Sequence, residues 1–156
     1  MRNSTLLFLV KKDNRDTTDI CLAMKKRGFG AGRFNGVGGK VEEGELIEDA
    51  VKRETQEEIN VAVNDIHKCA ELEFTFPHNE GWNQLVHVYF AFSWEGEPLE
   101  SEEMNPKWFK VEDIPYKDMW PDDIFWLPNV LSDKYVKGRF TFGEDDIILD
   151  KFVEVI

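Results

Sequence analysis

The feature that most constrains this 156-residue chain is a run of glycines feeding into a helix whose acids share a side with its apolar residues. Seven of the eleven glycines fall within Gly28–Gly44, and Leu46–Ile59 follows with helical periodicity. At 100° per residue with Glu54 as origin, Glu58 falls near about 40° and Glu57 near about −60°. Ile47, Ala50 and Val51 fall at roughly 20°, −40° and 60°, so the apolar stripe of the first half runs into the carboxylates of the second. Glu48, Asp49, Lys52, Gln56 and Asn60 occupy the other side. A solvated acidic face would oppose the apolar stripe. Glu57 and Glu58 also lie in the last turn, where the helix dipole disfavours each anion by about 0.3–1 kcal/mol. Three anions placed inward against that resistance predict a cation among them. A set of hard oxygen ligands suits Mg²⁺ or Mn²⁺, whereas Zn²⁺ prefers His and Cys.

The remaining pattern alternates strands with short helices. Strands are predicted at Ser4–Lys11, Asp19–Lys26, Glu71–Pro77, Gln84–Trp94 and Met104–Lys110, with a closing hairpin of Arg139–Phe142 and Ile147–Val155 around Gly143. Lys12–Thr18 reads as a polar loop. Pro121 followed by Asp122 and Asp123 opens a further helix, since Pro fits a first turn and acids favour a helix N-terminus. With no repeat or linker, residues 1–156 read as one α/β domain, a mixed sheet sandwiched between helices.

Several chemistries are excluded. The glycine segment is no Walker A loop, because Phe34 and Val41 stand where Gly and Ser or Thr are required, and Arg33 breaks G-x-G-x-x-G. Lys12–Thr18 is no calcium loop, since Arg15, Thr18 and Met24 occupy the third, sixth and twelfth positions counted from Asp13. His67, His78 and His87 have no paired spacing for zinc. A net charge of −12 argues against a polynucleotide partner, while a small nucleotide remains compatible through a bridging cation. No apolar run reaches the roughly 20 residues of a membrane span. With no export signal, and with Cys21 and Cys69 read as free thiols, a cytoplasmic monomer is expected.

Read outward from the helix, the segment is Gly39-x5-Glu45-x7-Arg53-Glu54-Thr55-x-Glu57-Glu58-x-Asn60-Val61. It resembles the Nudix box, G-x5-E-x7-R-E-U-x-E-E-x-G-U, with U a bulky aliphatic. Thr55 and Asn60 depart from it. Asn is the next-best residue for a left-handed cap, so the turn should survive. Thr55 is expected on the flank, at a packing cost only. The stretches Met24–Asn35, Met104–Phe109 and Lys117–Asp123 extend the resemblance, across essentially the whole chain, to the 8-oxo-dGTP diphosphatases of the MutT-homologue type. The longer loop at Lys12–Thr18 is the main difference.

That resemblance implies a Nudix α/β/α sandwich and Mg²⁺-dependent hydrolysis of an oxidised purine nucleoside triphosphate, such as 8-oxo-dGTP or 2-hydroxy-dATP, to the monophosphate and pyrophosphate. It implies that Glu54, Glu57 and Glu58 hold metal, with the Gly39 carbonyl and Glu103 as further ligands. Either Glu58 or Glu103 is then the general base, and Arg53 orients a box carboxylate. For the base it implies Asn35, Asp122 and Asp123 at the purine edge and Trp120 on its face. Phe29, Phe74 and Trp126 then line the pocket, and Thr5 and Lys25 touch base or sugar. Read without the resemblance, Asp122 and Asp123 are simple helix caps and Glu103 is solvated. Two alternatives stay open: a Nudix hydrolase of another nucleoside diphosphate-linked substrate, and a nucleotide-binding module with a silent box.

Overall fold

Four consecutive apolar side chains, Leu7, Phe8, Leu9 and Val10, are all buried, which an extended segment achieves only if both faces of its sheet are covered. They belong to β1 (Arg2–Asp13) in a computed structural model describing residues 1–156. Leu7 and Leu9 point to one side, where Val51 and Ile59 of α1 (Ile47–Ile59) pack on them. Phe8 and Val10 point to the other, into the larger core under Trp126, Leu127 and Val130 of α2 (Asp123–Leu131). The result is the expected mixed sheet between two helices.

The other strands are β2 (Asp16–Lys25), β3 (Phe34–Asn35), β4 (Ile66–Thr75), β5 (Gln84–Ala91), β6 (Met104–Lys110), β7 (Val136–Phe142) and β8 (Ile148–Val155). They run in the order β3-β2-β1-β5-β4-β7-β8, with β6 paired to β2. The β1–β5 and β4–β7 pairs are parallel and the rest antiparallel.

One junction positions the site. β2 pairs with β1 only from Val10 to Asp13 and then diverges to pair with β6. The edge of β1 that it vacates is taken by the glycine segment, through bridges Leu7–Val37 and Ser4–Lys40. The approach is close enough to require glycine. A Cβ on Gly38 would lie 1.9 Å from the Thr5 carbonyl oxygen, and one on Gly36 2.7 Å from that of Leu7.

Three expectations need correction. Lys12–Thr18 is not a loose loop: the β1–β2 ladder continues through Lys12–Thr17 and Asp13–Asp16 and turns at Asn14, whose φ is 56°. Thr55 is not on the flank but wholly buried, and its hydroxyl donates to the Val51 carbonyl at 2.7 Å, which removes the polar cost of the substitution. β4 and β7 also begin several residues earlier than their apolar patterns suggest. Asn60 does adopt the left-handed cap (φ 59°, ψ 40°), returning its N–H to Gln56.

Candidate active site

Of the three glutamates Glu54, Glu57 and Glu58, α1 delivers two inward. Glu54 lies against the glycine segment, where a Cβ on Gly39 would stand 2.7 Å from its Oε1. Glu58, one turn on, lies beside Glu54. Burial and the Glu54 charge push the Glu58 carboxyl up to about 8, against the opposing pull of the Gly38 N–H and Lys25. Glu58 Oε2 is buried and has no hydrogen-bond partner.

The third glutamate departs from the expected set. Glu57 is 59% exposed and makes a long 3.4 Å contact to Arg53. Its phase near −60° puts it at the margin of the stripe, and the adjacent guanidinium draws it outward. Glu103 is likewise held away, its Oε1 accepting from Arg27 Nε and Nη2 at 3.1 and 3.0 Å. The Gly39 carbonyl already accepts the Thr5 N–H at 2.9 Å. No three carboxylate, imidazole or thiolate groups converge as a finished metal cage.

The residues that do converge nonetheless fit a divalent cation. Two adjacent carboxylates, one pushed towards neutrality and one of its oxygens orphaned, form an oxygen donor set lacking its positive charge.

Arg53 organises this arrangement. Its Nε and Nη2 grip Glu45 at 2.8 and 3.0 Å, Nη1 donates to Glu54 Oε1 at 2.8 Å, and Nη2 reaches the Lys40 carbonyl at 3.1 Å. The paired bonds hold the Glu45 carboxyl down at about 2. Glu45 also accepts the Glu42 N–H. One guanidinium therefore ties the helix to the glycine segment and aims Glu54, a role no exposed ion pair could fill.

A cleft of ≈ 440 Å³ opens beside the glycine segment, and Gly38 and Gly39 form part of its wall. Thr5, Lys25, Phe29, Asn35, Phe74, Trp120, Asp122, Asp123 and Trp126 all line it. They come from β1, β2, β3, β4, α2 and the loops between, brought together by the junction at β1. Phe29 packs 5.1 Å from Trp120 and 5.0 Å from Trp82, ring centre to ring centre. Asn35 uses its Oδ1 to accept the Gly36 N–H at 2.8 Å, which leaves its amide N–H groups free.

Asp122 and Asp123 are buried, and neither side chain is a cap for α2, so the simpler reading of both as helix caps fails. Burial pushes Asp122 up to about 6 despite a 2.7 Å hydrogen bond from Trp126 Nε1 to its Oδ2. Asp123 is raised further, by burial and by the charge of its neighbour, and its Oδ2 has no partner. Two adjacent carboxyls in a dry site resist double ionisation.

The cleft also contains residues that sequence reasoning passed over: Arg2, Arg33, Lys40, Phe76, Trp82, Gln84 and Phe142. Arg33 lies 4.2 Å over the Trp120 ring and is paired with Asp146 at 2.8 Å. Alternation carried one residue past the end of β4 links Phe74 with Phe76, but Trp82 and Asp146 sit in short 3-10 turns that carry no such signal. The histidines stand apart; His87 is buried between Lys68 and Asn3.

The fold is that of a Nudix α/β sandwich, and residues 2–130 match the NUDIX domain family. The chain belongs to the Nudix family and is a Nudix hydrolase. It is 49% identical over 132 residues to the oxidized purine nucleoside triphosphate hydrolase of Mus musculus, covering 83% of each chain. Its identity to the Danio rerio protein of that name is 47% over 133 residues, 84% of this chain and 83% of the relative. The MutT protein of Bacillus halodurans superposes with a TM-score of 0.84 at 25% identity, covering 99% of this chain and 98% of that one. Nudix hydrolases generally work with a divalent metal ion. No helix here is long and apolar enough to cross a membrane.

Proposed function

We propose that the protein hydrolyses oxidised purine nucleoside triphosphates, 8-oxo-dGTP foremost, to the monophosphate and pyrophosphate in the presence of Mg²⁺. The observation that carries this reading is a single cleft joining a buried aspartate pair among aromatic rings to the glycine segment against which Glu54 lies. The mouse and zebrafish relatives named for that activity support it.

Trp120, with Phe29 beside it, offers a purine a stacking surface worth about 1–3 kcal/mol per base. Stacking does not separate 8-oxoguanine from guanine, so hydrogen bonding must. The indole N–H of Trp126 favours an ionised Asp122, and Asp123, denied a second charge at that distance, keeps its proton. The pair then presents one acceptor and one donor to the base edge, and the Asn35 amide supplies a further donor.

At the other end, Glu54 and Glu58 would hold Mg²⁺. Glu57 and Glu103 would complete the set by turning away from Arg53 and Arg27. The bound ion would supply charge neutralisation on the phosphates and lower the pKa of a bound water. Arg53 keeps Glu54 aimed, and the Gly39 backbone lets it approach. Lys25, near enough to influence Glu58, neutralises charge from the base side.

A panel of oxidised and unmodified triphosphates assayed for pyrophosphate release with Mg²⁺ tests the reading. The expected result is kcat/KM at least tenfold higher for 8-oxo-dGTP than for dGTP. Equal values would discard the substrate assignment, and nucleotide binding without pyrophosphate release would discard the reaction.

A further inference from the structure

Of the four cations lining the cleft, Arg33 is paired with Asp146 and Lys25 lies close enough to influence Glu58, while neither Arg2 nor Lys40 has an acidic partner. For Arg2 this is unusual, because its Nε is desolvated and makes no hydrogen bond. A buried guanidinium donor without an acceptor is costly. In a chain with 31 acidic against 19 basic residues, acidic partners are abundant. The position therefore points to an anion or oxygen-rich ligand that comes from outside the chain.

The fold specifies where that ligand lies. Along β1, Arg2 and Ser4 are two residues apart, so they face the same way, and both line the cleft. The antiparallel bridge Ser4–Lys40 sets Lys40 beside them on the glycine segment. Lys40 is the residue after Gly39, against which Glu54 lies, and its carbonyl is held by Arg53. Arg2 is also in register with Gln84 of β5, itself opposite Phe74 of β4 on the aromatic side. Two of the unpaired cations, Arg2 and Lys40, thus share the cleft wall formed by the start of β1 and the glycine segment beside Glu54.

We propose that Arg2 and Lys40 form a binding site for the polyphosphate chain of the substrate, with Arg2 the anchoring residue. This rests on the nucleotide reading above and adds residues that recognise the phosphates independently of the base. Guanidinium groups suit phosphate oxygens through paired N–H donors, whereas an ammonium acts as a point charge. Arg2→Lys should therefore retain only part of the function.

The test uses inorganic tripolyphosphate in Mg²⁺ as a base-free probe, measured by titration calorimetry on the full chain, with the Arg2→Gln, Arg2→Lys and Lys40→Gln variants. A hydrogen bond between charged groups is worth enough that Arg2→Gln should weaken tripolyphosphate binding about tenfold or more. Arg2→Lys should fall between. KM for the triphosphate should rise in parallel with kcat little changed, while affinity for the bare oxidised nucleoside and the melting temperature stay as in the unmodified protein. Unaltered tripolyphosphate affinity in Arg2→Gln would overturn the assignment. So would an equal loss of nucleoside affinity, which would mark Arg2 as a support for the pocket. Because the probe has no base, failure of the oxidised-purine assignment would appear in the triphosphate panel and leave this measurement standing.

Discussion

Trp126 and Asp122 are joined by a hydrogen bond in which the fully buried indole donates to Oδ2 at 2.7 Å. Trp126 is expected from the sequence simply to line the pocket. In the structure it also donates to one carboxyl of a buried pair, and on the proposed reading that bond sets which aspartate accepts and which donates.

Replacing the indole tests that relationship. Trp126→Phe keeps most of the apolar volume and removes the donor. Asp122 then loses a charge-assisted bond worth about 1.5–3 kcal/mol, and the preference for ionised Asp122 with it. The ratio of kcat/KM for 8-oxo-dGTP to that for dGTP should fall at least tenfold, with the variant still folded by near-UV circular dichroism. An unchanged ratio would show that the donor–acceptor order is set elsewhere.

The two adjacent glycines should fail differently. In Gly38→Ala the new methyl would meet the Thr5 backbone carbonyl at 1.9 Å, and neither strand can withdraw without breaking the ladder. We expect a loss of more than about 3 kcal/mol in denaturant unfolding, at the severe end for single substitutions. In Gly39→Ala the methyl meets the end of the Glu54 side chain at 2.7 Å, which can rotate aside. That variant should melt within a few degrees of the unmodified protein yet lose most of its kcat.

Arg53→Lys retains the charge but cannot reproduce the paired grip on Glu45 together with the bonds to Glu54 and Lys40. A stability loss of about 1–3 kcal/mol is expected. The accompanying fall in kcat should exceed tenfold, because Glu54 is no longer aimed. Wild-type kinetics in this variant would reduce the network to a structural ion pair.

Protons and Mg²⁺ should both stabilise the fold, at opposite ends of one pH window. The folded-state values of Glu58, raised from 4.5 to about 8, and Asp122, raised from 3.8 to about 6, both lie above those of the unfolded chain. Their contribution is fully present below about pH 4 and is lost as pH rises through about 6 and then about 8. Glu45, depressed to about 2, contributes fully above about 4.5 and so stays constant over that window. In EDTA the melting temperature should therefore fall between pH 5.5 and 8.5, by roughly 2–4 °C per kcal/mol lost. Mg²⁺ should restore it mainly at the alkaline end, where Glu58 is ionised. Glu58→Gln should flatten the upper part of the fall, lower kcat by orders of magnitude and remove the Mg²⁺ effect. A melting temperature that rises with pH in EDTA would refute the inward placement of Glu58.

Much of the site is legible before folding because its signals are local. The helix phase puts Glu54 and Glu58 on the buried side, and the left-handed cap at Asn60 follows from residue chemistry alone. Periodicity is coarser than a side-chain torsion, however. It groups Glu57 with the other two, but whether it turns inward depends on the adjacent Arg53, which takes it outward. The same holds for Glu103, whose exposed carboxylate follows Arg27, 76 residues away in sequence. The Lys12–Thr18 segment misleads for a related reason. Its polar residues read as a loop, yet backbone ladder bonds can carry a solvent-exposed hairpin whatever the side chains.

The amino-acid order by itself determined the carboxylate helix, its glycine approach, the alternation of strands and helices, and the family to which they belong. All of these arise from residues a few positions apart, where rise and rotation per residue set the geometry. Only the tertiary structure decided that Asp122 and Asp123 are buried and make no side-chain cap, that Trp126 donates to Asp122, and that Lys40 bridges to Ser4 of β1. Those relationships depend on desolvation and on contacts between strands distant in the chain, and no local period encodes either.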